Sequence, residues 1–279
     1  TKTKEKIDFS GFACIAIAIM TFFGGIFLGQ ESGFGSLQSY LLFIIAVIAL
    51  GLFIMVERKR KSPLIKFAIF KNKIFTLSLL SAVLIFASNF FVNVVIPFYL
   101  QDARKLSASY AGLLMMVFPL LMVVGAPLSG YLTDKIGPGI LTFGGLLLLC
   151  CTSLMYMFLD MNSPIWYYVI ATAIMGLGNA LFQSPNNTMV MSSVEKQDLG
   201  VAGSMNSFAR NLGMVIGIAL STTILYRGMS EAYGERVTTY LANRPDIFIV
   251  GMRETFFVAF LLCVAAFILT ILRFRKTTK

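Results

Sequence analysis

The residues able to do chemistry in this chain stand out because so little around them is polar. GYLTDKIGPG at 130–139 sets an acid and a base side by side, Asp134 and Lys135, and follows them with Gly137, Pro138 and Gly139. Elsewhere single amides recur inside apolar runs: Asn89 and Asn93, then Asn179, Gln183, Asn186 and Asn187, then Asn206 with Arg210 four residues on. Enzymatic chemistry has little to work with. There is no His, and Cys14, Cys150, Cys151 and Cys263 make no Cys-x-x-Cys pair, so the chain offers no zinc or haem ligand set. The acids fall in loops, tails or helix ends, leaving no carboxylate inside an apolar run to carry a proton. A membrane enzyme is not expected, and neither is a bound cofactor.

A polar group in hydrocarbon is costly without a partner, so each of these residues needs one. Asn89 and Asn93 share one helix face, with Phe86 and Phe90 beside them. Two amides and two rings suit the wall of a solute cavity; the same amides also suit packing between helices. Pro97, just beyond, predicts a kink. Asn179 and Gln183, with Phe182 nearby, repeat the pattern and read as cavity lining, while Asn186 and Asn187 read as residues at the water boundary. Arg210 reads as the one charge inside a span, with Asn206 on its face and Gly203, Gly213 and Gly217 permitting close helix approach. Its two readings are structural pairing with carbonyls or amides, and a part in gating or substrate contact.

Holding such residues in place requires long apolar elements, and the composition supplies them. Of 279 residues, 57% are hydrophobic and 13% charged, too few charges to cover a soluble domain, which carries about 25%. Eight apolar stretches, at about 10–29, 38–56, 76–100, 109–131, 140–159, 164–188, 201–226 and 254–272, are long enough to span a membrane. None has the form of a cleaved signal peptide. The leader TKTKEKID lacks an initiator Met, and the chain reads as a piece of something longer. Assigning loops alternately with the N-terminus inside puts sixteen of the 23 basic residues on that side and six on the other. That excess places both termini in the cytoplasm. Anionic lipid headgroups then account for the basic balance, with no nucleic-acid partner.

The basic segment ERKRKSPLIKFAIFKNKIF at 57–75 divides the chain. It reads as an amphipathic stretch on the cytoplasmic surface, between two helices in 1–56 and six in 76–279. The stretch 227–253 reads as an extracellular cap. The predicted fold class is an all-α polytopic membrane protein of eight transmembrane helices.

GYLTDKIGPG lies between the second and third of the six later helices, and there the chain resembles the major facilitator superfamily. That family carries G-x-x-x-D-(R/K)-x-G at this point of a six-helix repeat; here it is Gly130, Asp134, Lys135 and Gly137. SPLIKFAIFKNKIF, PFYLQ with SASYAGLLMMVFP, GLGNALFQSP and GSMNSFARNLGMVIGIALS are similar to segments of its 14-helix drug:proton antiporter subfamily. The resemblance implies two linking helices followed by a six-helix bundle whose first and fourth helices line a central cavity. It makes Phe86, Asn89, Phe90, Asn93, Asn179, Phe182 and Gln183 cavity candidates. It makes Gly130, Asp134, Lys135, Gly137, Asn206, Arg210, Gly213 and Gly217 gating or structural residues. Pro138 and Gly139 depart from its pattern, which has further basic residues there. The implied activity is proton-driven efflux of small amphipathic or cationic drug-like solutes across a bacterial-type inner membrane, by alternating access against an N-terminal six-helix bundle. The competing expectation is a remnant that transports nothing, because one bundle supplies one wall of the cavity.

Overall fold

A computed structural model describes residues 9–32, 36–58 and 67–274. Among them it is all helix and turn, without strands, and eight of its helical spans are long and apolar enough to cross a membrane. The helices are α1 (Phe9–Ser32), α2 (Leu37–Arg58), α3 (Lys73–Pro97), α4 (Ala108–Met115), α5 (Val117–Ile136), α6 (Pro138–Met157), α7 (Ile165–Ser192), α8 (Leu199–Tyr233) and α9 (Pro245–Phe274). The short α4 and the longer α5 together make one span, Ala108–Ile136. They part at Met116 because Pro119 has no N–H to give the Met115 carbonyl.

The chain divides into two compact units, one up to Ile69 and one from Phe70 onward. In the first, α1 and α2 pack as a hairpin. The Ser39 hydroxyl donates to the Gly25 carbonyl at 2.7 Å, and a Cβ at Gly25 would lie 3.1 Å from the Phe43 ring. Of the basic segment expected at 57–75, residues 59–66 lie outside the described residues. Its remainder is the end of α2, a 3₁₀ turn at Phe67–Lys71 and the start of α3.

The second unit is a six-span bundle with an internal symmetry. α3 packs on α8 and α9, as α7 packs on α5 and α6; α5 meets α6, as α8 meets α9. The pairs α3–α7 and α6–α9 are their own counterparts. Advancing every span by three thus reproduces the packing, the pattern of two three-helix repeats about a pseudo-two-fold axis. Long-chain aromatics fill the core between α3, α6, α7 and α9. Tyr156 stacks on Phe256 at 5.2 Å between ring centres, and its hydroxyl lies 2.9 Å from that of Thr172.

Helix ends follow local chemistry. Asn72 caps α3, its side chain accepting from the amides of Ile74 and Phe75 at 2.9 and 3.4 Å while donating to the Ser193 carbonyl at 2.7 Å. At its far end α3 answers Pro97 with a π-helical turn, Phe98–Ala103, rather than a break. Arg104 then anchors the turn, donating to the Tyr99 hydroxyl at 3.0 Å and to the Ser163 carbonyl. The cap expected over 227–253 is corrected: α8 continues to Tyr233 and α9 begins at Pro245, so the connection is only 234–244. Charges on these outer turns pair, Arg227 with Glu231 at 2.7 Å one turn along α8, and Arg253 of α9 with Asp160 of the α6–α7 connection at 3.5 Å. Glu254 accordingly sits well inside α9 rather than at its start.

Candidate functional site

The amides expected to line a cavity come together across helices. Asn89 on α3 and Asn179 on α7 form a reciprocal pair: the Asn89 Nδ2 donates to Asn179 Oδ1, and the Asn179 Nδ2 donates back to Asn89 Oδ1 at 3.1 Å. Both are buried, Asn179 completely. The pair joins the two helices that the pseudo-symmetry makes equivalent, so each repeat contributes one half. Asn179 also donates to the Met175 carbonyl at 3.0 Å, and Gln183 reaches Asn179 Oδ1 at 3.4 Å. Asn93 is exposed and donates to the Asn89 carbonyl at 3.2 Å. A connected row of amides therefore runs from exposed Asn93, through the buried pair, to half-buried Gln183. A cavity of about 10 Å³, room for roughly one water, lies beside the pair, lined by Ser88, Asn89, Thr152, Ser153, Tyr156 and Cys263 among others.

The aromatic candidates are placed differently. Phe86 and Phe90 are half-buried against α8, where Gly213 and Gly217 receive them: a Cβ at either glycine would stand 2.9 Å from the Cβ of Phe86 or Phe90. It would also strike the carbonyl oxygens of Val83 and Ala87. Gly203, by contrast, has no close neighbour across the interface, its nearest being the Met191 methyl at 4.0 Å. Phe182 leaves the amide row for the core, 1% exposed, with its backbone against Gly145 of α6.

Asn206 on α8 donates to Asn187 Oδ1 on α7 at 2.7 Å, and its own Oδ1 is buried with no hydrogen-bond partner among the described residues. Arg210 is half-exposed, and its hydrogen bond is to the Ser207 hydroxyl at 3.2 Å. In the Gly130–Gly137 motif, Gly137 takes φ +84° and ψ 156° between α5 and α6, a conformation that only glycine adopts easily. Lys135 lies over the Tyr131 ring at 4.5 Å. Asp134 is exposed, with no ion pair or hydrogen bond among the described residues. Gly130 has room for a Cβ, its nearest neighbour being the Ser184 hydroxyl at 3.6 Å, so close packing does not explain it.

Arg273 lies in the last turn of α9. It is 3% exposed and donates from Nη1 to the Ser78 hydroxyl at 2.8 Å and to Asn186 Oδ1 at 3.0 Å. Asn186 is likewise buried rather than at the water boundary; it donates to the Ser78 carbonyl at 3.2 Å. This knot ties α3, α7 and α9 together at the end where α3 is capped. The signal was present in the spacing: Cys263, Ala266, Thr270 and Arg273 continue one buried stripe of α9.

A six-span bundle of two three-helix repeats, with polar side chains turned inward, defines a multi-pass helical membrane protein with an internal polar network. The chain belongs to the Major Facilitator Superfamily, whose model matches residues 9–218 and 79–279. It is 29% identical over 236 residues to the riboflavin transporter RibZ of Clostridioides difficile, covering 85% of this chain and 50% of that protein. It is 27% identical over 243 residues to the multidrug transporter protein MdtP of Bacillus subtilis, covering 86% and 44%. To the uncharacterized transporter YebQ of Escherichia coli it is 33% identical over 208 residues, covering 72% and 45%. The chain thus spans about half the length of the curated relatives it matches.

Proposed function

We propose that this chain forms one wall of the solute path in a small-molecule efflux transporter of the 14-helix drug:proton antiporter type. The observation that carries the reading is the amide row from Asn93 to Gln183, joining α3 and α7 across the repeat axis. In an alternating-access cycle two bundles rock about such a site, which opens to one side and then the other. The names of two relatives, a riboflavin transporter and a multidrug transporter, support small organic solutes. The excess of basic residues on the Asn72 end supports a cytoplasmic orientation for that end, and so for both termini, in an inner membrane. Asp134 and Gly137 sit at the same end, where an exposed carboxylate without a partner among the described residues suits contact with a second bundle.

Energy would come from the proton gradient. α3 and α7 carry no carboxylate, so the proton-binding group of the cycle belongs to the rest of the transporter. The test is flux in proteoliposomes. The full-length protein should export a fluorescent solute when a pH gradient is imposed and stop when a protonophore collapses it, while residues 1–279 alone should give no gradient-driven flux. Flux from the full-length protein that ignores the gradient would remove the antiport reading.

A further inference from the structure

The polar strip on α7 and α8 carries a charge, and that charge narrows what the path can hold. The Asn187–Asn206 bond fixes the register between the two helices. They run antiparallel, so one turn further from that end brings Gln183 on α7 level with Arg210 on α8. The guanidinium has five N–H donors, and among the described residues only the neutral Ser207 hydroxyl receives one. No acid lies near it along the chain. α7 has none, and on α8 the nearest are Asp198, twelve residues or about 18 Å of rise away, and the more distant Glu231. Asn206, on the same face and 6% exposed, adds a buried Oδ1 without a partner among the described residues.

The strip is therefore an incomplete polar network with a positive centre. A positive charge within a membrane-spanning helix is costly and faces protein or water, so a counter-charge is called for. We propose that Arg210, flanked by Gln183 and Asn206, binds an anionic group of the transported solute, a carboxylate, phosphate or sulfonate. A planar guanidinium suits such oxyanions, which accept two parallel N–H bonds. Cationic amphiphiles, expected from the family resemblance, would meet a like charge here. The inference rests on the transport reading above and adds to it the sign of the substrate.

The experiment uses two dyes built on one xanthene ring, anionic fluorescein and cationic rhodamine 6G. Binding to the purified full-length protein is measured by fluorescence anisotropy, with thermal unfolding as the check on folding. A charge-assisted hydrogen bond of this kind corresponds to about tenfold or more in affinity. Wild type should therefore bind fluorescein at least about tenfold tighter than rhodamine 6G. Arg210→Lys should keep that ranking, Arg210→Gln should abolish it and Arg210→Glu should reverse it; if the Glu variant does not fold, the Lys and Gln variants decide. Wild type that prefers rhodamine 6G, or a ranking unmoved in folded Arg210→Gln, overturns the inference and leaves the transport reading standing. Binding of neither dye to folded wild type counts against both.

Discussion

At the scale of single residues, the amides tie helices together, and in the proposed function they also line the solute path. Asn89 and Asn179 satisfy each other across two helices, so removing one leaves the other buried without its partner. Hydrogen bonds between membrane helices contribute about 0.6 kcal/mol on average and about 1.7 at most. A double-mutant cycle on Asn89→Ala and Asn179→Ala, read by thermal unfolding in detergent, should give a coupling in that range. Additive effects would mean that the pair is not formed in the membrane. Both Asn residues, and their helical spacing with Asn93 and Gln183, were visible in the sequence; that they bond to each other was not, because 90 positions separate them. Arg273 went unremarked in the sequence for a similar reason. Its partners Ser78 and Asn186 lie 195 and 87 positions away, and the basic residues that follow it resemble a tail.

At the scale of helices, eight spans were legible because hydrocarbon thickness demands long apolar runs and the chain supplies eight of them. The ends were less so. Arg227, Glu231, Arg253 and Glu254 have the composition of a loop yet lie inside helices; Arg227 pairs with Glu231 along α8 and Arg253 with Asp160 across 93 positions, and hydropathy alone does not register such pairs. Glycines divide the same way. Gly213 and Gly217 let α8 lie directly on α3, whereas Gly144 in α6 has no atom near the place a Cβ would take. Gly217→Ala should therefore push α8 off the Ala87 carbonyl, at a cost of about 1–3 kcal/mol typical of overpacking. Gly144→Ala should be neutral or stabilise by up to about 1 kcal/mol, the difference in helix propensity. Melting temperatures of the two variants provide the comparison, and equal shifts would contradict the α3–α8 packing described here.

At the scale of the whole molecule, two three-helix repeats pack against each other, and the amide side chains of the spans gather on α3, α7 and α8, with none on α6. Leu147 of α6 is 57% exposed, an apolar side chain suited to lipid. In the proposed function the Asn93 row faces a water-filled path that opens in turn to each side of the membrane. The most direct measurement is labelling of single cysteines, in a full-length protein otherwise free of cysteine, by a membrane-impermeant thiol reagent. Gln197→Cys, just before α8, and Asn243→Cys, in the 234–244 connection after it, report which side the reagent reaches. With that control, Asn93→Cys should label from both sides, and a transported solute should slow the reaction, while Leu147→Cys should stay unlabelled from either. Asn93→Cys as inert as Leu147→Cys would contradict the account, leaving the amide row as packing between helices.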